Sequence, residues 1–258
     1  MLRLLFLALL VAPAALAQTQ ADPLAEARIL IADGEAQSAL DLLAADTSRD
    51  AAYLRGLAFS DQARFPEASQ AFAQADTSSR RVQMAWARSL ESGGKADQAR
   101  SLLARAYAQD TTHTSTALAY ARHLSGTRRW NDAEPVYTAL VQADSANAYL
   151  RARLAYVHLQ QDRTDDAIVG YEIALQLDPS DRSSLLALTR IYLDTDAPIS
   201  AKRSFDRLIG RNFDDPDVWR RGGEIEMKLE NYPVAVQHVQ AAVALGDTVG
   251  PTLRMLGA

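Results

Sequence analysis

Residues 148–179 read AYLRARLAYVHLQQDRTDDAIVGYEIALQLDP, and their spacing decides the fold. Small Ala155 stands twelve residues before small Ala167, which is followed after four residues by Tyr171 and after seven by Ala174. Steps of four and three put Ala167, Tyr171 and Ala174 on one face of a helix, where a small residue lets two backbones approach and the aromatic fills the space alongside. The polar break Gln161-Asp162-Arg163 splits the stretch into two helices. Asp178-Pro179 closes the second one, because proline cannot continue the preceding helix. The stretch is therefore a helical hairpin.

Outward from this hairpin the pattern repeats in both directions. Ala39, Ala68, Ala99, Ala133, Ala167, Ala201 and Ala235 form a column with successive spacings of 29, 31, 34, 34, 34 and 34. Twelve residues before each stands Ala27, Gly56, Ala87, Ala121, Ala155, Thr189 or Gly223. Four residues after each comes Leu43, Phe72, Leu103, Tyr137, Tyr171, Phe205 or Val239. Several columns locked to one register define an internal repeat rather than a composition bias. Pro66 and Pro233 sit two residues before their column alanines, where a first helical turn tolerates proline, and so mark helix starts.

These columns resemble the tetratricopeptide repeat, a 34-residue helix-turn-helix unit with small, small, aromatic and small residues at these offsets. Trp219, Gly223, Asn231-Tyr232, Ala235 and Ala242 carry the likeness, as do Ala155, Ala167, Tyr171, Ala174 and Asp178-Pro179. The chain divides into units at 20–48, 49–79, 80–113, 114–147, 148–181, 182–215 and 216–249, which together cover 230 of 258 residues. It departs from the family pattern at Asp46 and Thr189, where small residues are expected, and most units lack the opening Trp. Residues 250–258 resemble a partial eighth unit or a cap helix. The fold class expected is all-α, and the resemblance implies a right-handed superhelix, or solenoid, of about seven hairpins. It also implies that the first helix of each hairpin lines a concave groove that holds extended peptides or partner helices.

Composition agrees. The chain is 48% hydrophobic and 23% charged, which is globular, while aromatics are only 7% and alanine is 48 of 258 residues, which favours closely packed helices over strands. A net charge of −5 supplies no basic footprint for nucleic acid. The absence of cysteine excludes disulfides, thiolate zinc sites and a cysteine nucleophile.

At the N-terminus, Arg3 is followed by an apolar run from Leu4 to Ala12, then Pro13 and the small-x-small pattern Ala15-Leu16-Ala17. Residues 1–17 read as a signal peptide cleaved after Ala17, since 14 residues interrupted by proline fall short of the roughly 20 that span a bilayer. An uncleaved anchor is the alternative. The expected location is the periplasm, with secretion as the alternative and no stable membrane insertion after cleavage.

Eleven residues before the column alanines lie Arg28, Leu57, Arg88, Arg122, Tyr156, Arg190 and Glu224, with Tyr53, Arg81, Met84, Tyr149 and Arg220 on the same expected face. Arg28, Tyr53, Arg81, Met84, Arg88, Arg122, Tyr149, Tyr156, Arg190 and Arg220 are therefore the candidate partner-binding residues. Guanidinium groups bind carboxylates bidentately and stack on rings, so the reading is a protein or peptide ligand that is acidic and extended. Its rival is that these arginines are solvated or paired with the chain's own acids. The family's clamp for carboxyl-terminal tails uses Lys and Asn; Leu57, Arg88, Arg122 and Tyr156 stand where its Asn would be, so that specificity is not carried over.

No enzymatic signature is present. His113, His123, His158 and His238 are scattered without a second His at i+4, and there is neither a Gly-x-Ser-x-Gly elbow nor a phosphate loop. Gly93-Gly94 reads as an inter-helix turn, Gly222-Gly223 as a close helix contact and Asp214-Asp215-Pro216-Asp217 as a turn and N-cap. Trp86, Trp130 and Trp219 read as packing residues. The expectation is a non-catalytic scaffold or adaptor with no cofactor and no metal. Its alternative is the repeat portion of a larger envelope enzyme or glycan-processing assembly, with the catalytic part elsewhere.

Overall fold

A computed structural model describes residues 22–210 and 215–248; the expected signal peptide and the cap at 250–258 lie outside them. Fourteen helices and no strand occur among the described residues. The chain forms two compact units, residues 1–95 and 96–258, divided inside the stretch 80–113.

The first unit holds α1 (Pro23–Ala32), α2 (Ala36–Leu42), α3 (Arg49–Asp61), α4 (Phe65–Gln74) and α5 (Arg80–Ser92). The second holds α6 (Ala96–Gln109), α7 (Thr114–Gly126), α8 (Trp130–Ala143), α9 (Ala148–Gln160), α10 (Thr164–Leu177), α11 (Arg182–Asp194), α12 (Pro198–Ile209), α13 (Pro216–Lys228) and α14 (Tyr232–Ala244). Within the units α1 pairs with α2, α3 with α4, α7 with α8, α9 with α10, α11 with α12 and α13 with α14.

One turn is used eight times among the described residues, seven times ahead of a column alanine and once more at Gly246, where the Asp247 N–H donates to the Ala242 carbonyl at 3.0 Å. At Gly34, Ala63, Gly94, Arg128, Asp162, Asp196 and Glu230, each five residues before a column alanine, the backbone enters the left-handed region. The next N–H then donates to the carbonyl five residues back, as from Arg129 to Leu124 at 2.8 Å and from Arg163 to His158 at 3.0 Å. This is the Schellman closure that satisfies a helix C-terminus. The helix starts are capped by short polar side chains: Asp22, Ser48, Asn147, Asp181 and Asp215 each accept from a first-turn N–H.

The column residues form the core. Every column alanine is buried, as is each large apolar residue four positions later. The small positions decide how close the helices come: a Cβ added at Gly170 would lie 2.7 Å from the Ala155 Cβ, and one at Gly223 would lie 2.5 Å from Val239. Both departures from the repeat have local explanations. Thr189 is buried, but its hydroxyl donates to the Leu185 carbonyl at 2.8 Å. Asp46 follows the short α2; it accepts from the Ser48 N–H at 2.8 Å, while Arg55 donates to the Leu43 carbonyl at 3.0 Å, so this end is closed by polar groups rather than by another helical turn.

Glu226 is a buried carboxylate held by Lys202 Nζ at 2.6 Å and Asn231 Nδ2 at 2.8 Å. Burial pushes its carboxyl up, but these hydrogen bonds outweigh burial and hold it below the ordinary value of 4.5. A carboxyl depressed in the folded state contributes stability above its unfolded pKa, and that contribution is lost as pH falls through the folded one. Glu226→Gln is therefore expected to lower the unfolding free energy by about 1–3 kcal/mol at neutral pH. The variant and parent curves should converge as pH falls below 4.5. Denaturant titration across that range checks it, and a gap that stays constant with pH contradicts it.

Candidate functional site

An open cleft of about 690 Å³ lies within the second unit, lined by Arg122, Ser125, Gly126, Arg128, Trp130, Arg153, Tyr156 and Gln160. α7 contributes its C-terminal half, the turn contributes Arg128, α8 its first residue and α9 the facing side. Trp130 and Tyr156 meet edge to face, ring centroids 5.7 Å apart at 84°. The Arg153 guanidinium stands 5.9 Å from the Tyr156 ring and 5.6 Å from that of Tyr149, so the aromatics hold it in place.

The lining contains three arginines and no carboxylate. Among the described residues none of Arg122, Arg128 and Arg153 makes an ion pair. Their neighbours do: Arg129 binds Asp132 at 2.7 Å, and Arg163 bridges Glu134 at 2.6 Å and Asp166 at 2.8 Å. Glu134 also accepts from Gln161 at 3.1 Å, and the Arg163 hydrogen bond holds its carboxyl below the usual glutamate range. Nearby negative charge is thus already engaged, leaving the cleft a local excess of positive charge in an acidic chain. At the cleft wall Ser125 is only 8% exposed, and its Oγ has no hydrogen-bond partner among the described residues.

Of the residues expected from sequence, Arg122 and Tyr156 line this cleft and Tyr149 flanks it through Arg153. Arg190 is exposed and lies 3.6 Å from Asp194 of its own helix. Arg220 is largely buried among Asp217, Glu224 and Asp247. Arg28, Tyr53, Arg81, Met84 and Arg88 belong to the first unit. There Arg81 stacks 4.3 Å above the Tyr53 ring and pairs with Asp50 at 3.1 Å, while Arg28 and Arg88 are exposed and Met84 is half-buried. Arg128, Arg153 and Ser125 line the cleft as well, and Trp130, expected as a packing residue, is half-buried and forms part of its wall.

The histidines occupy separate settings. His113 caps α7, His123 is buried, His158 lies 3.4 Å from Glu134, and His238 packs beside Phe205 and Trp219. No group of three His, Cys, Asp or Glu side chains suited to a metal ion occurs among the described residues. No described helix is long and apolar enough to cross a membrane.

Residues 118–182, which include every residue lining the cleft, match the family model described as tetratricopeptide repeat. A search of curated proteins finds no match. Among solved structures, the chain is similar to the C-terminal part of a TPR repeat-containing protein from Cytophaga hutchinsonii, with TM-score 0.75 and 13% identity over 90% of this chain and 99% of that one. It is also similar to pilF of Pseudomonas aeruginosa, with TM-score 0.64 and 18% identity over 81% and 96%. A third is YrrB, described as a TPR protein with an unusual peptide-binding site, with TM-score 0.59 and 14% identity over 74% and 100%. At these identities the likeness shows the fold.

Proposed function

We propose a partner-holding role for this chain, which is a tetratricopeptide-repeat protein: it is an exported, non-catalytic adaptor that binds another protein, or an extended peptide of it, in the periplasm. The observation that carries this reading is the open cleft between α7 and α9, where unpaired guanidinium groups and aromatic edges face solvent. Such a surface suits recognition of a flexible acidic chain, because bidentate hydrogen bonds and ring stacking both act on side chains presented singly along a backbone. The peptide-binding site reported for YrrB supports the same use of the fold. Export rests on the charged, apolar and small-residue pattern of residues 1–17.

Mild cross-linking of the chain in its native host, followed by fractionation of the cell envelope, tests this role. The expected result is a discrete adduct between this chain and a second protein in the periplasmic fraction. Recovery of the free chain alone, or of the chain in the cytoplasm with residues 1–17 still attached, contradicts it.

A further inference from the structure

We infer that the cleft between α7 and α9 is a specific subsite for an acidic side chain next to an aromatic one on the partner peptide, and that Arg128 and Ser125 are kept there for that ligand rather than for the fold. The inference deepens the peptide-binding reading above and rests on it.

The first observation is the identity of the turn residue. The eight left-handed positions among the described residues carry glycine at 34, 94 and 246, alanine at 63, acidic residues at 162, 196 and 230, and arginine only at 128. Glycine occupies this conformation without steric cost, and aspartate is among the residues that tolerate it; a long basic side chain gains nothing local from it. The same closure forms around Gly34 and Gly94, with N–H to carbonyl distances of 2.8 Å, so the turn has no need of arginine. What Arg128 adds is a third guanidinium on the cleft lining.

The second observation is Ser125. A hydroxyl that is nine-tenths buried normally has a hydrogen-bond partner, because leaving it without one costs free energy. The Ser125 Oγ has none among the described residues, and it stands on the same wall as Arg122 and Arg128. The Oγ is closed to solvent as it stands, so it donates to a ligand oxygen held by Arg122 and Arg128 once its side chain turns to another staggered rotamer.

The third is the aromatic edge. Trp130 and Tyr156 form one side of the cleft, and Arg153 is poised beside the Tyr156 ring. An incoming ring can stack on that guanidinium while its neighbouring carboxylate reaches Arg122 and Arg128. A bare anion would use the arginines and leave the aromatic wall unoccupied, which is why an acidic and aromatic peptide is the class chosen.

The probe is a short fluorescent peptide of alternating glutamate and tyrosine, read by anisotropy against the full chain. Binding is expected to weaken about tenfold when glutamine replaces glutamate in the peptide, and about tenfold in Arg128→Gly. Ser125→Ala is expected to weaken it about threefold. Neither protein variant should lose thermal stability, and Arg128→Gly should hold or raise Tm by about 2 °C, which separates a ligand role from a structural one. Arg190→Gln, outside the cleft, should bind as the parent does. Equal loss in Arg190→Gln, or parent-like binding in Arg128→Gly, overturns the assignment. So does tight binding of an oligoglucuronate with the peptide inert, or full displacement of the bound peptide by inorganic phosphate. If Arg128→Gly still forms the cross-linked adduct with the native partner at parental yield, the adaptor role stands and this subsite falls.

Discussion

Phe205→Ala is expected to lower the unfolding free energy of the second unit by about 3–5 kcal/mol. Phe205 is fully buried in α12 and occupies the large apolar column of its repeat. Its ring lies 6.3 Å from Trp219 and 5.2 Å from His238, and it fills the space over Gly222, where an added Cβ would come within 2.3 Å of it. Truncation removes a large buried surface and leaves a cavity bounded by helices that cannot collapse freely, since their separation is fixed by small residues at the other columns. Because each hairpin rests on its neighbours, the loss should be local. Hydrogen exchange should accelerate most in α11–α14, and denaturant titration should give the magnitude. A loss under 1 kcal/mol, or uniform acceleration along the chain, would contradict the packing described.

The largest effect on binding is expected from Arg122→Glu combined with Arg153→Glu. The pair changes the cleft from three positive charges to one positive and two negative. An acidic partner then meets repulsion where it met two guanidinium groups, and affinity should fall at least a hundredfold at low salt and less at high salt. Neither arginine makes an ion pair in the described structure and neither is buried, so unfolding should change by under about 1 kcal/mol. Calorimetry at two ionic strengths with the partner identified by cross-linking checks this. Unchanged affinity with intact folding would mean that the partner binds elsewhere.

The repeat was legible because packing forces it. Small residues such as Ala155 and Ala167 must recur where helices touch, and large ones such as Tyr137, Tyr171 and Phe205 must recur where a gap needs filling. The left-handed turn was not legible as a column, since ahead of the column alanines only Gly34 and Gly94 advertise it while Ala63, Arg128, Asp162, Asp196 and Glu230 adopt it because the surrounding hairpin imposes it. For the site, the register found Arg122 and Tyr156 but could not separate them from Arg190 and Arg220. A finer signal was available. Arg190 has Asp194 one turn on, and Arg220 has Asp217 and Glu224 on either side, whereas the neighbours of Arg122 at these offsets are Leu118, Ala119, Ser125 and Gly126. Those of Arg153 are Tyr149, Leu150, Tyr156 and Val157. By that signal Arg122 and Arg153, which line the cleft, separate from Arg190 and Arg220, which do not. The pairing of Arg81 with Asp50, from a different helix and 31 residues away, had no such local trace.

The position of the cross-linked partner on this chain tests the account most directly. Mass spectrometry of the adduct formed by a photoreactive residue at position 156 should find the partner attached there. The same residue at position 199, where Ile199 is 70% exposed in α12 outside the cleft, should yield little or none. Equal yields at both positions, or attachment at 199 alone, would show that the cleft between α7 and α9 is not where the partner is held.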